Sequence, residues 1–236
     1  MRILALDTTT RAGSVAVVID GHVHVKTSGD AARSHAERLP LDIVRALDAA
    51  ALTTSSIDVW AVASGPGSFT SLRIGIAAIQ GFALVHAARV VAVSALDALA
   101  AAAADDGCAR SGVVGAWMDA HRGEVYSALF RVSEERPAME LLDEIEPATV
   151  GLPAATWSRW QSAGLRPSIV AGDGAVAYAP VIGCDAIVMP PPELAPWIGR
   201  IAYARACAGE TIAPAAIQPL YVRRPDVEIA RDVSRG

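Results

Sequence analysis

A pattern near the start of the chain returns from residue 113, and this recurrence limits the fold more than any other feature of the sequence. "ILALDTTTRAGSVAV", from Ile3, runs as apolar strand, Asp7, polar loop and alternating strand. "VVGAWMDAHRGEVYSALFRV", from Val113, runs the same way, with Asp119 in the place of Asp7 and Val125 in the place of Val15. A supersecondary unit used twice decides the architecture before any single residue does. The expected class is α/β: two similar halves, the second reduced, meeting at a cleft. The 236 residues suit one large domain or two small ones, and 53% hydrophobic against 19% charged residues leaves ample apolar surface for a core. The chain divides into a first half, 1–106, a reduced second half, 107–190, and a C-terminal helix with an extended tail, 191–236, that packs back on the halves.

In the first half, Val15, Val17 and Ile19 alternate, and Asp20-Gly21 marks a two-residue hairpin turn into Val23 and Val25. "SHAE", Ser34 to Glu37, has the form of a capping box that starts a helix. Apolar Ala36, Leu39, Ile43, Leu47 and Ala50 follow at helical spacing, and Pro40 removes one backbone donor and predicts a kink. "IDVWAVASGPGSFTSLRIGIAAIQGFALVH" reads as a strand over about 58–63, a glycine turn, and a helix from Ser68 or Thr70 to His86. That helix is apolar nearly all round, with Gly75 and Gly81 permitting close packing, which suits a buried or interfacial position. "VVAVSALDALAAAAADDG" gives another strand and helix, Ser94 and Asp97 forming a cap-like pair. The second half continues through "SIVAGDGAVAY", a strand and glycine turn, to a helix around Pro196 to Cys207 and the extended "PLYVRRP".

Several function classes fall away. No apolar run reaches the 18 residues of a membrane span, and the N-terminal apolar run is too short for a signal peptide. Cys108, Cys184 and Cys207 form no CxxC pair and fit a reducing cytoplasm. A net charge of −5 gives no basic footprint for autonomous nucleic-acid binding. No two of His22, His24, His35, His86 and His121 have the spacing of a helical metal pair, no metal site is expected, and no Ser sits in a GxSxG elbow.

Three motifs remain. In "DTTTRAGS", Asp7 with Thr8, Thr9 and Thr10 supplies part of a phosphate loop, a carboxylate and hydroxyls beside a tight turn. Thr9 and Thr10 are β-branched where glycine would let a phosphate approach. The alternative is a turn whose Asp and Thr side chains satisfy its own backbone donors. "SGPGSFTSLRIG" lies at a strand-to-helix turn, where anions bind, but Pro66 lacks a donor and Thr70 stands at the third glycine position of a dinucleotide fingerprint. "DAHRGEVY", with Asp119, Arg122 and Glu124, is the densest polar cluster, either a site of unknown role or a solvated hairpin turn.

Together, "ILALDTTTRAGSVAV", "SHAERLP", "SGPGSFTSLRIGIAAIQGFAL", "MDAHRGEVY" and "GDGA" resemble the bacterial TsaB (YeaZ) family in order and spacing, from Ile3 to about Gly174. The resemblance implies an actin/Hsp70/sugar-kinase-like fold of two duplicated α/β halves. It implies a non-catalytic paralogue and partner of TsaD, the enzyme that transfers a threonylcarbamoyl group to adenosine 37 of ANN-decoding tRNAs, giving t6A. Implied partners are TsaD, the ATPase TsaE and, when TsaD is absent, a second copy of the chain, with tRNA reached only through the complex. No tightly bound cofactor is implied, ATP or ADP being accommodated only at an interface with TsaD or TsaE.

Three departures from TsaD-like sequences support a lost catalytic site. Ala95 and Leu99 stand where the metal-binding histidines of "VNHxEGH" would be, Arg11 and Ala12 replace acidic residues of the opening loop, and "GDGAVA" replaces "GGVxxN". "DTTTRAGS" then reads as the remnant of a phosphate loop. The alternative activity is a small ATPase or phosphotransferase using Asp7. Family resemblance places the partner contact on two helices, through Leu39, Ile43 and Leu47 and through Leu72, Ile76 and Ile79, unless these residues fill the chain's own core. The roles of Arg223 and Arg224 stay open.

Overall fold

Each half of the chain forms a five-stranded sheet, and the two sheets share one strand order. The structure, a computed structural model, describes residues 1–105, 112–132 and 142–223. In the first sheet β1 (Arg2–Asp7), β2 (Ser14–Ile19) and β3 (His22–Ser28) form an antiparallel meander, and β4 (Val59–Gly65) and β5 (Arg89–Ser94) add in parallel beyond β1. In the second, β6 (Gly112–Asp119), β7 (Val125–Val132) and β8 (Leu142–Gly151) form the meander, and β9 (Ile169–Ala171) and β10 (Ile187–Met189) add in parallel beyond β6. The recurrence in the sequence is a duplication of topology. The second copy is reduced in its parallel strands, which are three residues long.

Local chemistry explains the connections. Asp20 (φ 49°) and Gly21 (φ 82°) are both left-handed, as a two-residue hairpin turn of matching twist requires. α1 (His35–Ala49) joins β3 to β4 and continues through Pro40. α2 (Phe69–Val85) joins β4 to β5, and α3 (Ala95–Asp105) follows β5, the Asp97 amide donating to Ser94 Oγ at 3.4 Å. The second half carries α4 (Pro153–Ser162), α5 (Asp173–Ala177) and α6 (Ala179–Ile182). α7 (Ala195–Cys207) returns to pack on the first sheet. The expected division at 106–107 lies outside the described residues.

Strand alternation sorts the first sheet into two faces. Leu4, Leu6, Val15 and Val17 pack under α1 and α2. Ile3, Ala5, Ala16 and Val18 face a continuous core of α3, α7 and the inner residues of the second sheet, Val114, Ala116 and Met118. All of α3 except Asp97 and Asp105 is buried, and its alanines give it the slender cross-section of a helix between two sheets. The far face of the second sheet is covered by the cluster of Trp117, Trp157 and Trp160.

Four expectations need correction. The α1 start is in place, but Ser34 makes no side-chain cap, and Glu37 lies 3.8 Å from Arg33 rather than reaching back to it. A Cβ on Gly75 would overlap the Thr8 hydroxyl, whereas one on Gly81 would meet nothing within 4 Å, so only Gly75 marks a close approach. Leu39, Ile43, Leu47, Leu72, Ile76 and Ile79, placed at a partner contact, belong to the chain's own core, none more than 6% exposed. They are the most apolar stripe of each helix, and a helix on a sheet turns that stripe inward. Finally, Asp119 is not the face equivalent of Asp7. Asp7 follows the parity of Ile3 and Ala5, while Asp119 has the opposite parity to the inward Ala116 and Met118.

Candidate functional site

The loop 8–13 between β1 and β2 is held shut by its own side chains. Asp7 is 1% exposed. Its Oδ1 accepts from the Thr9 amide at 2.7 Å and the Thr9 hydroxyl at 2.6 Å, and its Oδ2 accepts from the Thr10 hydroxyl at 2.8 Å. Thr10 Oγ1 in turn accepts from the Gly13 amide at 3.1 Å. A phosphate loop needs free amides and hydroxyls. Here the Thr9 and Gly13 amides and both hydroxyl protons are committed inside the turn. Burial pushes the Asp7 carboxyl above the usual carboxylate range, with the Thr9 and Thr10 hydrogen bonds pulling the other way. The third hydroxyl, on Thr8, is buried without a hydrogen-bond partner against the α2 backbone at Gly75.

The glycine turn between β4 and α2 closes on this loop. A Cβ on Gly67 would lie 3.0 Å from Thr9 Cβ, so the glycine turn and the threonine loop are in close contact at this point. Ser68 starts α2 without a side-chain cap.

A third layer, absent from the sequence reading, comes from the first turn of α1. His35, Arg38 and Asp42 are buried polar residues on one helix face. Arg38 pairs with Asp42 at 2.5 Å and donates to the Ala12 carbonyl. His35 Nδ1 lies 2.8 Å from Arg38 Nη2, and Nε2 lies 3.2 Å from the Thr10 carbonyl. A guanidinium can only donate, so Nδ1 is the acceptor and Nε2 carries the proton. Burial and the Arg38 charge hold His35 below its ordinary pKa, in agreement with this neutral tautomer. The spacing i, i+3, i+7 beside the apolar Leu39 and Ile43 was the available signal for a buried polar stripe.

The "DAHRGEVY" cluster forms the β6–β7 hairpin. Asp119 Oδ1 accepts from the His121 amide at 2.9 Å, the Asp119 amide donates to Asp173 at 3.0 Å, and Glu124 pairs with Arg223. His121 and Arg122 have positive φ, as a tight turn demands. The seven candidate residues of the Asp7 loop and this hairpin therefore separate into a sealed turn and a surface hairpin. Among the described residues no three His, Cys, Asp or Glu side chains are grouped to hold a metal ion, and no helix is long and apolar enough to cross a membrane. Cys184 and Cys207 are free and exposed, and Cys108 lies outside the described residues.

What the first half does offer is an outward face. On α1, Leu41 and Val44 are each 46% exposed; on α2, Leu84 and Val85 are 63% and 79% exposed. Thr70, Ala77 and Gly81 are exposed small residues on α2, which let another backbone approach.

The comparisons fit this geometry. A family model described as TsaD, tRNA N6-adenosine threonylcarbamoyltransferase, matches residues 23–157. The tRNA threonylcarbamoyladenosine biosynthesis protein TsaB of Escherichia coli is 32% identical over 94% of this chain and 95% of its own. The chain belongs to the TsaB (YeaZ) family. YeaZ from Pseudomonas aeruginosa superimposes with a TM-score of 0.78 at 28% identity, over 93% of this chain and 99% of that one. The (R)-2-hydroxyglutaryl-CoA dehydratase component A of Acidaminococcus fermentans, at a TM-score of 0.52 and 12% identity over 88% and 99%, shares the fold alone. The chain thus has the two-sheet α/β fold that the resemblance implies, and it belongs to a family named for t6A biosynthesis.

Proposed function

We propose that the chain is a non-catalytic partner of TsaD, required for t6A formation at adenosine 37 of ANN-decoding tRNAs. One observation carries the reading: the Thr9 and Gly13 amides and the Thr9 and Thr10 hydroxyls, donors a phosphate would need, are taken up by Asp7 and Thr10 within the loop itself. An ATPase using Asp7 would first have to free a buried carboxylate from three hydrogen bonds. Nucleotide binds, in this reading, only at an interface that TsaD or TsaE completes, and tRNA is reached through the complex, in the cytoplasm.

The docking surface is the outward face of α1 and α2, with Leu41, Val44, Leu84 and Val85 as its apolar centre. The same face serves a second copy of the chain when TsaD is absent. Exposed apolar side chains grouped on two adjacent helices are what a helix-on-helix contact buries.

The test is reconstituted t6A synthesis with TsaD, TsaE, the adenylate-forming enzyme, threonine, bicarbonate and ATP. Multiple-turnover modification is expected only when this chain is added. The doubly substituted V44E/L84E chain, charged at exposed positions, should keep its thermal stability and lose both TsaD binding and t6A synthesis. Equal t6A yield without the chain would reject the function; full activity of V44E/L84E would reject the surface.

A further inference from the structure

We propose that the tail segment Leu220–Arg223 is a tie that fixes the angle between the two halves. Its first anchor is the β4–α2 turn of the first half. The Leu220 amide donates to the Ser64 carbonyl at 2.7 Å, and the Leu220 carbonyl lies so close that a Cβ on Gly65 would come within 2.9 Å of it. Tyr221 stacks on Phe69, ring centroids 5.4 Å apart, and its hydroxyl accepts from Arg73 Nε at 3.2 Å. The Arg73 guanidinium lies 3.7 Å from the Phe69 ring centroid, so the three side chains form one stack.

The second anchor is the β6–β7 hairpin of the other half. Arg223 Nη1 donates to the Ala120 carbonyl at 2.8 Å, Nη2 pairs with Glu124, and the guanidinium lies 5.8 Å from the Tyr126 ring centroid. Three residue steps span at most about 10 Å of extended chain. The two anchors therefore cannot lie farther apart than this span plus the reach of the Arg223 side chain without one of them breaking. Upstream, the segment is fastened to the first half: Val90 and Ile212 exchange backbone hydrogen bonds, and Gln80 Nε2 donates to the Pro214 carbonyl at 2.9 Å.

The halves already meet through the core around α3 and α7. One packed core allows a hinge rotation, one of the ways a two-lobed protein opens and closes. A second attachment at the strand ends removes that rotation. The tie also gives Glu124 a role, as the second half's fastening for the tail. Because Tyr221 sits on the first turn of α2, the position of that helix is coupled to a hairpin in the opposite half.

Two native cysteines make the test direct. Cys184 lies in the second half and Cys207 ends α7 on the first sheet; both are free and exposed. Spin labels on them, in a Cys108→Ser background, report the distance between halves by electron–electron double resonance. The tied protein should give one narrow distribution, and the Tyr221→Ala/Arg223→Gln variant one roughly twofold wider. An unchanged width overturns the proposal. Hydrogen exchange of Tyr221→Ala alone gives an independent reading, since only the first anchor is touched. Amides of the 119–126 hairpin should exchange about tenfold faster; an effect confined to 64–73 overturns the tie. Arg223→Gln alone changes a partly exposed ion pair, so it keeps the distance test decisive should the double variant fold poorly.

Discussion

The loops that follow β1 and β6 occupy the same place in two sheets of the same order, yet they are chemically unlike. The first ends in Asp7, sealed by two threonines and braced by the buried His35, Arg38 and Asp42 of α1. The second ends in the half-buried Asp119, turns through left-handed His121 and Arg122, and is held by an ion pair to the tail. Duplication has kept the topology, which the backbone enforces, and let the strand-end chemistry diverge, because a few side chains decide it. In the first half the buried polar residues of α1 reach back to the loop, whereas in the second Asp173, at the start of α5, accepts from the Asp119 amide at the strand end.

Arg38→Ala is the severest way to break the contrast. Removing one member of a buried ion pair strands the other, a loss of about 3–5 kcal/mol, and here Asp42 is left buried without its partner. Urea denaturation should show this loss. A loss below about 1 kcal/mol would mean that the first loop is no better supported than the second.

Asp7→Ala leaves the Thr9 amide without its acceptor, which costs about 1–3 kcal/mol. Asp119→Ala, at a partly exposed turn, should stay within about 1 kcal/mol. Paired melting curves compare the two directly, and equal losses would contradict the division into a sealed and a surface loop.

The smallest effect is a pH dependence. His35 is neutral in the fold because burial and Arg38 disfavour its cation. As pH falls through about 6.5, the unfolded chain takes up the proton first and stability declines. The raised pKa of Asp7 acts in the opposite sense, adding stability as that carboxyl gains its proton at lower pH. His35→Gln should flatten the decline between about pH 7 and 5.5. A parallel decline in both proteins would remove His35 as its cause.

Much of the fold was legible in the sequence because backbone chemistry writes it locally. Asp20-Gly21 specified a hairpin turn, and the alternation of Val15 and Val17 specified a two-faced strand. The resemblance carried the actin-like class and the family. The candidate site was half legible. Asp7, Thr9 and Thr10 fit a phosphate loop or a self-satisfied turn, and only the direction of each hydroxyl, which the residue types leave open, distinguishes the two. The helix pattern leaves two placements open, a partner contact or the chain's own core; Leu39 and Ile43 lie in the core, and Leu41, Val44, Leu84 and Val85 are the exposed apolar residues. Periodicity finds the apolar stripe and says nothing of what is left over for a partner. The tail contacts of Tyr221 and Arg223 span 148 and 99 residues, beyond any local pattern; Arg224 lies outside the described residues.

One element sets the scale of the molecule. Seven of the eleven residues of α3 are alanine, and every one of them is buried in the layer between the sheets. A helix so thin works as a shim, and its gauge is the methyl group. Ala100→Leu or Ala103→Leu would insert three carbons where the packing leaves no room, and interiors as dense as organic crystals answer such an insertion by moving whole layers. The separation of the two halves is thus encoded as side-chain volume along one turn after another of α3, and it could be adjusted one carbon at a time.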